Sequence, residues 1–342
     1  MRTPRRCASC STCRSDAGGS DRGRSLKQPK AVAVVIRIAT RRSALAKAQA
    51  FQTARLLQRR TGEPFELVPL ATSGDLAVDI PVDQVDVKGM FVDTIRAAVL
   101  SGDCDLAIHS YKDLPTDQTP GLTIAAVPER EDPRDILISR DGYVLANLPA
   151  LATVGTSSER RKLQLLRAKP SLQVLPVRGN LDTRLRKVAD GEFDALVVAY
   201  AGLRRLYAPK EAMGVGPLGL PLKAAPLEPG ECLPAAAQGA LAVEARADDA
   251  RVLDLCKSID HQPTRRTVLA ERTMLESIGG GCLAAVGALC SVTGSGSLEL
   301  LGLAGDPDRR RVVRLSWQGP YDKPEELGRN LAGELKTALG WS

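Results

Sequence analysis

Four short, cation-rich strings hold the residues best suited to chemistry: Thr40-Arg41-Arg42-Ser43; Ser110-Tyr111-Lys112-Asp113; Gly155-Thr156-Ser157-Ser158 before Arg160-Arg161; and Arg178-Gly179-Asn180 before Arg184. A guanidinium presents a planar fork of donors that matches a carboxylate or phosphate bidentately, so arginines gathered at one opening imply a ligand with several such groups. Asp113 is an acid among these cations. It reads either as a salt-bridge partner or helix cap, or as a carboxylate that stabilises a cationic intermediate and moves protons. Ser157 and Ser158 also suit ordinary helix N-caps. Cys282 follows Gly279-Gly280-Gly281, which leave an open approach to its sulfur, and a cationic surrounding would favour its thiolate. Cys104, Cys256 and Cys290 read instead as small buried hydrophobes. His109 ends an apolar strand and reads as a core residue, and His261 as a helix start. Neither a His-based triad nor a His-rich metal site is expected. No GxxxxGK[ST] phosphate loop occurs.

These strings need elements to hold them. From Ala31 the chain alternates short β-branched runs with helical periodicity, the signature of α/β architecture. Strands are predicted over 32–39, 65–71, 104–109, 122–127, 135–139, 152–154, 173–177, 194–199 and 240–245, and helices over 43–59, 89–100, 157–168 and 180–189. The cationic strings follow strand ends, where ligands bind in open α/β sheets and where free helix N-terminal N–H groups favour anions. That places Arg41, Ser43, Lys112, Asp113, Ser157, Arg160, Arg161, Arg178 and Arg184 around one crevice, with Arg205 a further candidate. Pro128–Asp135 and Gly214–Leu233 read as crossings between lobes, and Thr72–Val87 as a lid loop. After Arg246 the pattern changes to helices at 248–258 and 262–276, strands near 283–292, 296–303 and 311–317, and a helix at 323–339, which reads as a separate α+β domain.

Composition narrows the function. Of 342 residues 44% are hydrophobic, enough for buried cores, and 3% are aromatic, too few for a stacking platform on single-stranded nucleic acid. Residues 1–30 carry eight Lys or Arg and two Asp, so all but one unit of the formal charge of +7 belongs to that tail and the body is neutral. A folded nucleic-acid-binding face is not expected. No apolar run approaches the ~18 residues a membrane span needs. Eight scattered cysteines in a chain of this size suggest thiols in a reducing compartment. Residues 1–30 read as a disordered extension, or alternatively as an organelle transit peptide, and their CxxCxxC run lacks a fourth metal ligand nearby.

RIATRRSALA from Arg37, KGMFV from Lys88, AIHSYKDLP from Ala107, EREDPRD from Glu129, VGTSSERR from Val154, PVRGNLDTRL from Pro176, AGLRRL from Ala201, PAAAQGA from Pro234 and GGGCLAAVG from Gly279 stand in one order. In these strings the sequence resembles the porphobilinogen deaminase (hydroxymethylbilane synthase) family. The resemblance implies two α/β domains of the type II periplasmic-binding-protein kind joined by a double crossover, then a C-terminal α+β domain. The expected bounds are an extension at 1–31, domain 1 at 32–128 and 233–257, domain 2 at 129–232, and domain 3 at 258–342. It also implies a transferase that condenses four porphobilinogens head to tail with release of ammonia, on a dipyrromethane joined by a thioether to Cys282, and then frees hydroxymethylbilane by hydrolysis. Asp113 would serve the pyrrole nitrogens, an azafulvenium-like cation and proton transfer, with Lys112 and Arg41 beside it. Ser110, Lys112, Asp113, Thr156, Ser157, Arg160, Arg161, Arg178 and Gly179 would hold the cofactor, and Arg41, Ser43, Phe91, Arg178, Arg184 and Arg205 the substrate. No metal, nucleic acid or membrane partner is implied, and a cytoplasmic monomer is expected. Tyr111 stands where relatives often have Met, and Ala285 where proline is common. The rival readings are a two-lobed anion-binding protein without catalysis and a nucleic-acid binder acting through the tail. The first would leave Cys282 and Asp113 unexplained.

Overall fold

The computed structural model describes residues 35–71, 87–211, 217–279, 285–306 and 311–341. The tail, residues 72–86 of the expected lid, and Cys282 lie outside the described residues. Three sheets organise the rest. The first is built from β1 (Ile36–Arg41), β2 (Phe65–Leu70), β3 (Leu106–Ser110), β4 (Leu122–Ala126) and β10 (Leu241–Arg246), in the order β2-β1-β3-β10-β4. The second contains β5 (Asp135–Ser139), β6 (Thr153–Gly155), β7 (Gln173–Leu175), β8 (Ala195–Ala199) and β9 (Lys223–Leu227), in the order β7-β6-β8-β5-β9.

Both five-stranded sheets follow one plan. Three parallel strands stand in the order second, first, third, and the next strand runs antiparallel. In the first sheet that antiparallel strand is β10, supplied after the chain has returned from the second. In the second it is β5, the first strand after the chain leaves the first. Two segments, 127–134 and 228–240, therefore join the lobes.

Local sequence explains the elements. In β1, Ile36 and Ile38 face α1 (Ala44–Thr61), which presents Ala50, Ala54 and Leu57 to them, while Ala39 packs with Ile95 and Val99 of α2 (Val87–Leu100) on the other side. Each such fully buried Ile or Leu contributes about 1.5–3 kcal/mol relative to exposure. Ser43 caps α1 by accepting from the Ala46 N–H, and Gly62 ends it in the left-handed region. Around the second sheet, α3 (Glu159–Ala168), α4 (Leu181–Ala189) and α5 (Tyr200–Glu211) supply Leu165, Leu185, Val188 and Leu203 to the core. The third sheet, β11 (Ala285–Val292), β12 (Leu298–Asp306) and β13 (Arg311–Gly319), is antiparallel. α7 (Gln262–Ile278) and α8 (Pro324–Leu339) cover it, and α6 (Ala250–Lys257) precedes them.

Two expectations need correction. The segment 214–233 is not simply a linker, because Lys223–Leu227 forms edge strand β9 against β5; its Gly and Pro content hid a strand that needs one paired side only. Helix α5 also escaped a reading that saw only AGLRRL after β8.

The lobes and the third sheet meet at one buried carboxylate. Glu271 of α7 accepts from Arg130 Nη1 and Nη2 at 2.7 and 3.0 Å, from the Ala237 N–H at 2.6 Å and from the Cys290 N–H at 2.8 Å. Arg130 and Ala237 lie on the two connecting segments, so this carboxylate ties both to α7 and β11. Gly239 sits close by at φ +89°, where a Cβ would lie 2.3 Å from the Glu131 carbonyl oxygen. Only glycine fits there.

Candidate active site

β3 delivers the first part of the site. It ends at Ser110, whose Oγ accepts from Gln49 Nε2 of α1 at 2.8 Å, and the chain then makes one 3-10 turn over Tyr111–Asp113. The Tyr111 N–H donates to the Ala240 carbonyl at 3.0 Å, and the Leu114 N–H closes the turn onto the Tyr111 carbonyl at 3.3 Å. Because Tyr111 points into the core, Lys112 and Asp113 are turned outward: Lys112 is half-buried and Asp113 exposed. The Asp113 carboxylate has no side-chain hydrogen bond or ion pair among the described residues. Lys112 Nζ donates to Gln238 Oε1 at 3.2 Å. Burial pushes the Lys112 ammonium down to about 8, with the charge of Asp113 opposing and those of Arg161 and Arg160 adding to the shift.

The second lobe supplies the facing cations. Ser158 caps α3, and Arg160 and Arg161 occupy its first turn, both buried. They converge on Asp135, the fully buried first residue of β5. Arg160 Nη1 lies 2.7 Å from Asp135 Oδ2 and donates to the Leu233 carbonyl at 2.6 Å. Arg161 reaches Asp135 Oδ1 through Nε at 3.1 Å and Nη2 at 2.8 Å, and donates to the Val197 carbonyl at 3.1 Å. Burial alone would raise the Asp135 carboxyl, but the two guanidinium groups hold it well below the usual carboxylate range. Two guanidinium groups share this one carboxylate, and Lys112 stands beside them. The cluster carries a surplus of positive charge, and burying such a surplus is costly unless an anion matches it.

Gln238 joins the halves. Its Oε1 accepts from Lys112 and its Nε2 donates to Asp135 Oδ1 at 2.8 Å and to the Pro133 carbonyl at 2.8 Å. Reading the sequence for charge missed both Gln238 and Asp135. The available signal was one polar residue, fully buried here, within the Ala- and Gly-rich string PAAAQGA.

The remaining candidates divide. Arg184 joins the cluster electrostatically, since burial and the neighbouring charge of Arg161 lower its pKa, and its Nε donates to the Gly179 carbonyl at 2.8 Å. Gly179 has φ +103°, and a Cβ there would press on Thr183. Ser157 Oγ donates to the Val177 carbonyl at 2.8 Å and accepts from the Val177 N–H at 3.1 Å, binding the ends of β6 and β7 together. Thr156 is buried beside it, whereas Arg178 is exposed. Arg41 ends β1 half-buried. Arg205 donates to the Gly239 carbonyl at 2.7 Å and lines a pocket of about 340 Å³ with Gln52, Thr53, Arg130 and Leu241. Burial lowers its pKa to about 10 against the pull of Glu131. Phe91 falls on α2. The cysteines Cys104, Cys232, Cys256 and Cys290 are free and buried, with burial pushing the thiols of Cys232 and Cys256 up to about 12. His109 Nε2 faces the Glu244 carboxylate at 3.3 Å inside the first lobe, and His261 caps α7.

Taken together, the fold and the cluster define two α/β lobes of one sheet plan, carrying a carboxylate with no side-chain partner among the described residues and a surplus of cations, with an α+β unit following them. Residues 36–254 match the family described as "Porphobilinogen deaminase, dipyromethane cofactor binding domain", and residues 265–337 match "Porphobilinogen deaminase, C-terminal domain". The chain belongs to the porphobilinogen deaminase family, transferases that build hydroxymethylbilane for tetrapyrrole and haem synthesis from four porphobilinogen molecules. It is 46% identical to the porphobilinogen deaminase of Nocardia farcinica over 308 residues, covering 88% of this chain and 85% of that one. Against the Desulforudis audaxviator protein of the same name it is 44% identical, covering 87% and 93%. Among solved structures, a substrate-binding domain of a putative amino acid ABC transporter from Streptococcus pneumoniae is 13% identical with a TM-score of 0.39, covering 66% of this chain and 92% of that one.

Proposed function

We propose that Asp113 is the reacting carboxylate of this deaminase and that Cys282 carries its dipyrromethane through a thioether. The observation that carries the first part is an exposed carboxylate, without a side-chain partner among the described residues, next to Lys112, whose ammonium also feels the charges of Arg160 and Arg161. The cationic surplus fits a dipyrromethane, whose side chains are carboxylates. Arg160, Arg161, Lys112, Arg178 and the Thr156–Ser157 segment would hold it, while Arg41, Ser43, Arg184, Arg205 and Phe91 would serve the substrate. When bound, the group supplies an electron-rich pyrrole carbon to prime the chain.

The protein's own work is electrostatic. Loss of ammonia from the substrate's aminomethyl group leaves positive charge on its ring, and Asp113, held on a short turn with no other partner among the described residues, would stabilise that charge and take up the proton released from the attacking pyrrole carbon as the new carbon–carbon bond forms. The arginines neutralise acetate and propionate groups as they accumulate. The ranges 32–128 with 233–257, 129–232 and 258–342 are inferred as domains, since each holds one of the three sheets.

Intact mass of the purified protein, followed by peptide mapping, tests the covalent assignment. A two-pyrrole adduct on Cys282 is expected; active protein without an adduct, or with one on another cysteine, overturns it.

The depressed Lys112 also predicts a pH effect. Its ammonium is fully charged only below about 8, so carboxylate binding weakens as pH rises through that value. KM for porphobilinogen is expected to rise above about pH 8, and Lys112→Arg, which stays charged, to remove the inflection. An unchanged KM profile in Lys112→Arg would detach Lys112 from ligand binding.

A further inference from the structure

We infer that Arg272 and Tyr111 form a clamp that positions Asp113 from behind. This rests on the reading of Asp113 as the reacting carboxylate. Arg272 projects from α7 and is buried, yet no carboxylate among the described residues pairs with it in a salt bridge. Its guanidinium instead fans over the catalytic turn. Nη1 donates to the Tyr111 carbonyl at 3.0 Å and the Leu114 carbonyl at 3.1 Å, and Nη2 to the Pro115 carbonyl at 2.6 Å. The guanidinium carbon lies 4.5 Å from the centroid of the Tyr111 ring, within range for a cation–π contact.

The choice of acceptors gives the arrangement its meaning. Tyr111 opens the 3-10 turn and Leu114 follows its last residue, so the acceptors bracket Lys112-Asp113 on both sides. The Tyr111 carbonyl is the same one that closes the turn through Leu114. A single guanidinium thus fixes both ends of the peptide segment on which Asp113 stands, and the Tyr111 face fixes the guanidinium. Neither group reaches into the crevice. Both act through the orientation of Asp113.

The origin of Arg272 adds a second consequence. It lies on the helix that runs into the Gly-Gly-Gly-Cys segment, ten residues before Cys282. The clamp therefore sets the register between that helix and the Asp113 turn, two parts of the chain some 160 residues apart. The Tyr111 ring and the three carbonyls together offset the cost of burying this guanidinium without a paired carboxylate.

Steady-state kinetics, thermal unfolding and intact mass on the holoenzyme test this. Arg272→Lys keeps a charge but cannot reach three carbonyls at once, and kcat is expected to fall about 10- to 100-fold with KM little changed and the adduct mass intact. Tyr111→Leu should lower kcat in the same way and Tyr111→Phe, which keeps the ring face, should restore it. Tyr111→Leu with Arg272→Lys should be no worse than the more damaging single change, since the two groups act as a unit. Should Arg272→Lys fail to fold, the Tyr111→Leu and Tyr111→Phe pair carries the test. A lowered unfolding midpoint with unchanged kcat in these variants would reduce the clamp to scaffolding, and a rise in KM alone would place Arg272 in binding instead. Asp113→Asn run in parallel separates the layers. If it is inactive while Arg272→Lys and Tyr111→Leu are normal, the clamp alone fails; if it turns over normally, the site reading fails and the clamp with it.

Discussion

Asp113→Asn is expected to fold, to unfold at the same temperature as the unchanged protein, and to turn over at least about 100-fold more slowly. The side chain is exposed and bonds to nothing among the described residues, so replacing one oxygen by an amide nitrogen removes no structural contact. What it removes is the negative charge. The same charge supports the neighbouring ammonium, because Asp113 works to raise the Lys112 pKa against burial. In the Asn variant Lys112 should therefore titrate further below about 8, and the KM inflection should move to lower pH as turnover collapses. Ammonia release, the pH profile of KM and the unfolding midpoint together decide the matter. Near-normal ammonia release by a folded variant would make Asp113 an ordinary cap.

Much of this arrangement can be read from residue order. Strand ends followed by Arg, Lys and Ser point to the candidate anion crevice, because a sheet presents its strand ends and helix starts together. The alternation of β-branched runs with helical periodicity gave β1, β3, β5 and β8 close to their observed places. Charge partners were not legible. EREDPRD offers four acids, and nothing in the string marks Asp135 as the one that meets two arginines 25 and 26 positions later. That pairing depends on β5 crossing into the second sheet next to β8, a tertiary fact. Gln238 was hidden for the same reason, since its partners Lys112, Pro133 and Asp135 come from three separate stretches. β9 was obscured by local composition, and α5 by a reading confined to one motif. Arg160 and Arg161 show the opposite problem. As sequence they look like two free cations at a helix start, whereas in the fold they are partly committed to an internal carboxylate and to carbonyls of β8 and the return segment. The role proposed for them toward a ligand rests on the excess of two positive charges over one negative.

That surplus makes Asp135 the most consequential buried residue of the site. Asp135→Asn would leave Arg160 and Arg161 in a buried space without their counter-charge, and breaking such a pair costs about 3–5 kcal/mol. The folded carboxyl is held far below its ordinary value, so its contribution is complete above the unfolded pKa of about 4 and is lost as pH falls through and below that value. The unchanged protein should accordingly lose stability on acidification below about pH 4, and Asp135→Asn should begin lower and lack most of that acid limb. Removing a charge together with its partner should recover part of the loss, so Asp135→Asn with Arg161→Gln is expected to be more stable than Asp135→Asn alone. Activity should not return with it, because the double change restores the net charge of the unchanged cluster but removes one of the two guanidinium groups proposed to meet the ligand's carboxylates. Urea unfolding between pH 3 and pH 8 reads both effects. If Asp135→Asn is as stable as the unchanged protein at pH 7 and loses stability equally on acidification, the two arginines do not depend on Asp135, and the electrostatic frame assigned to this crevice is wrong.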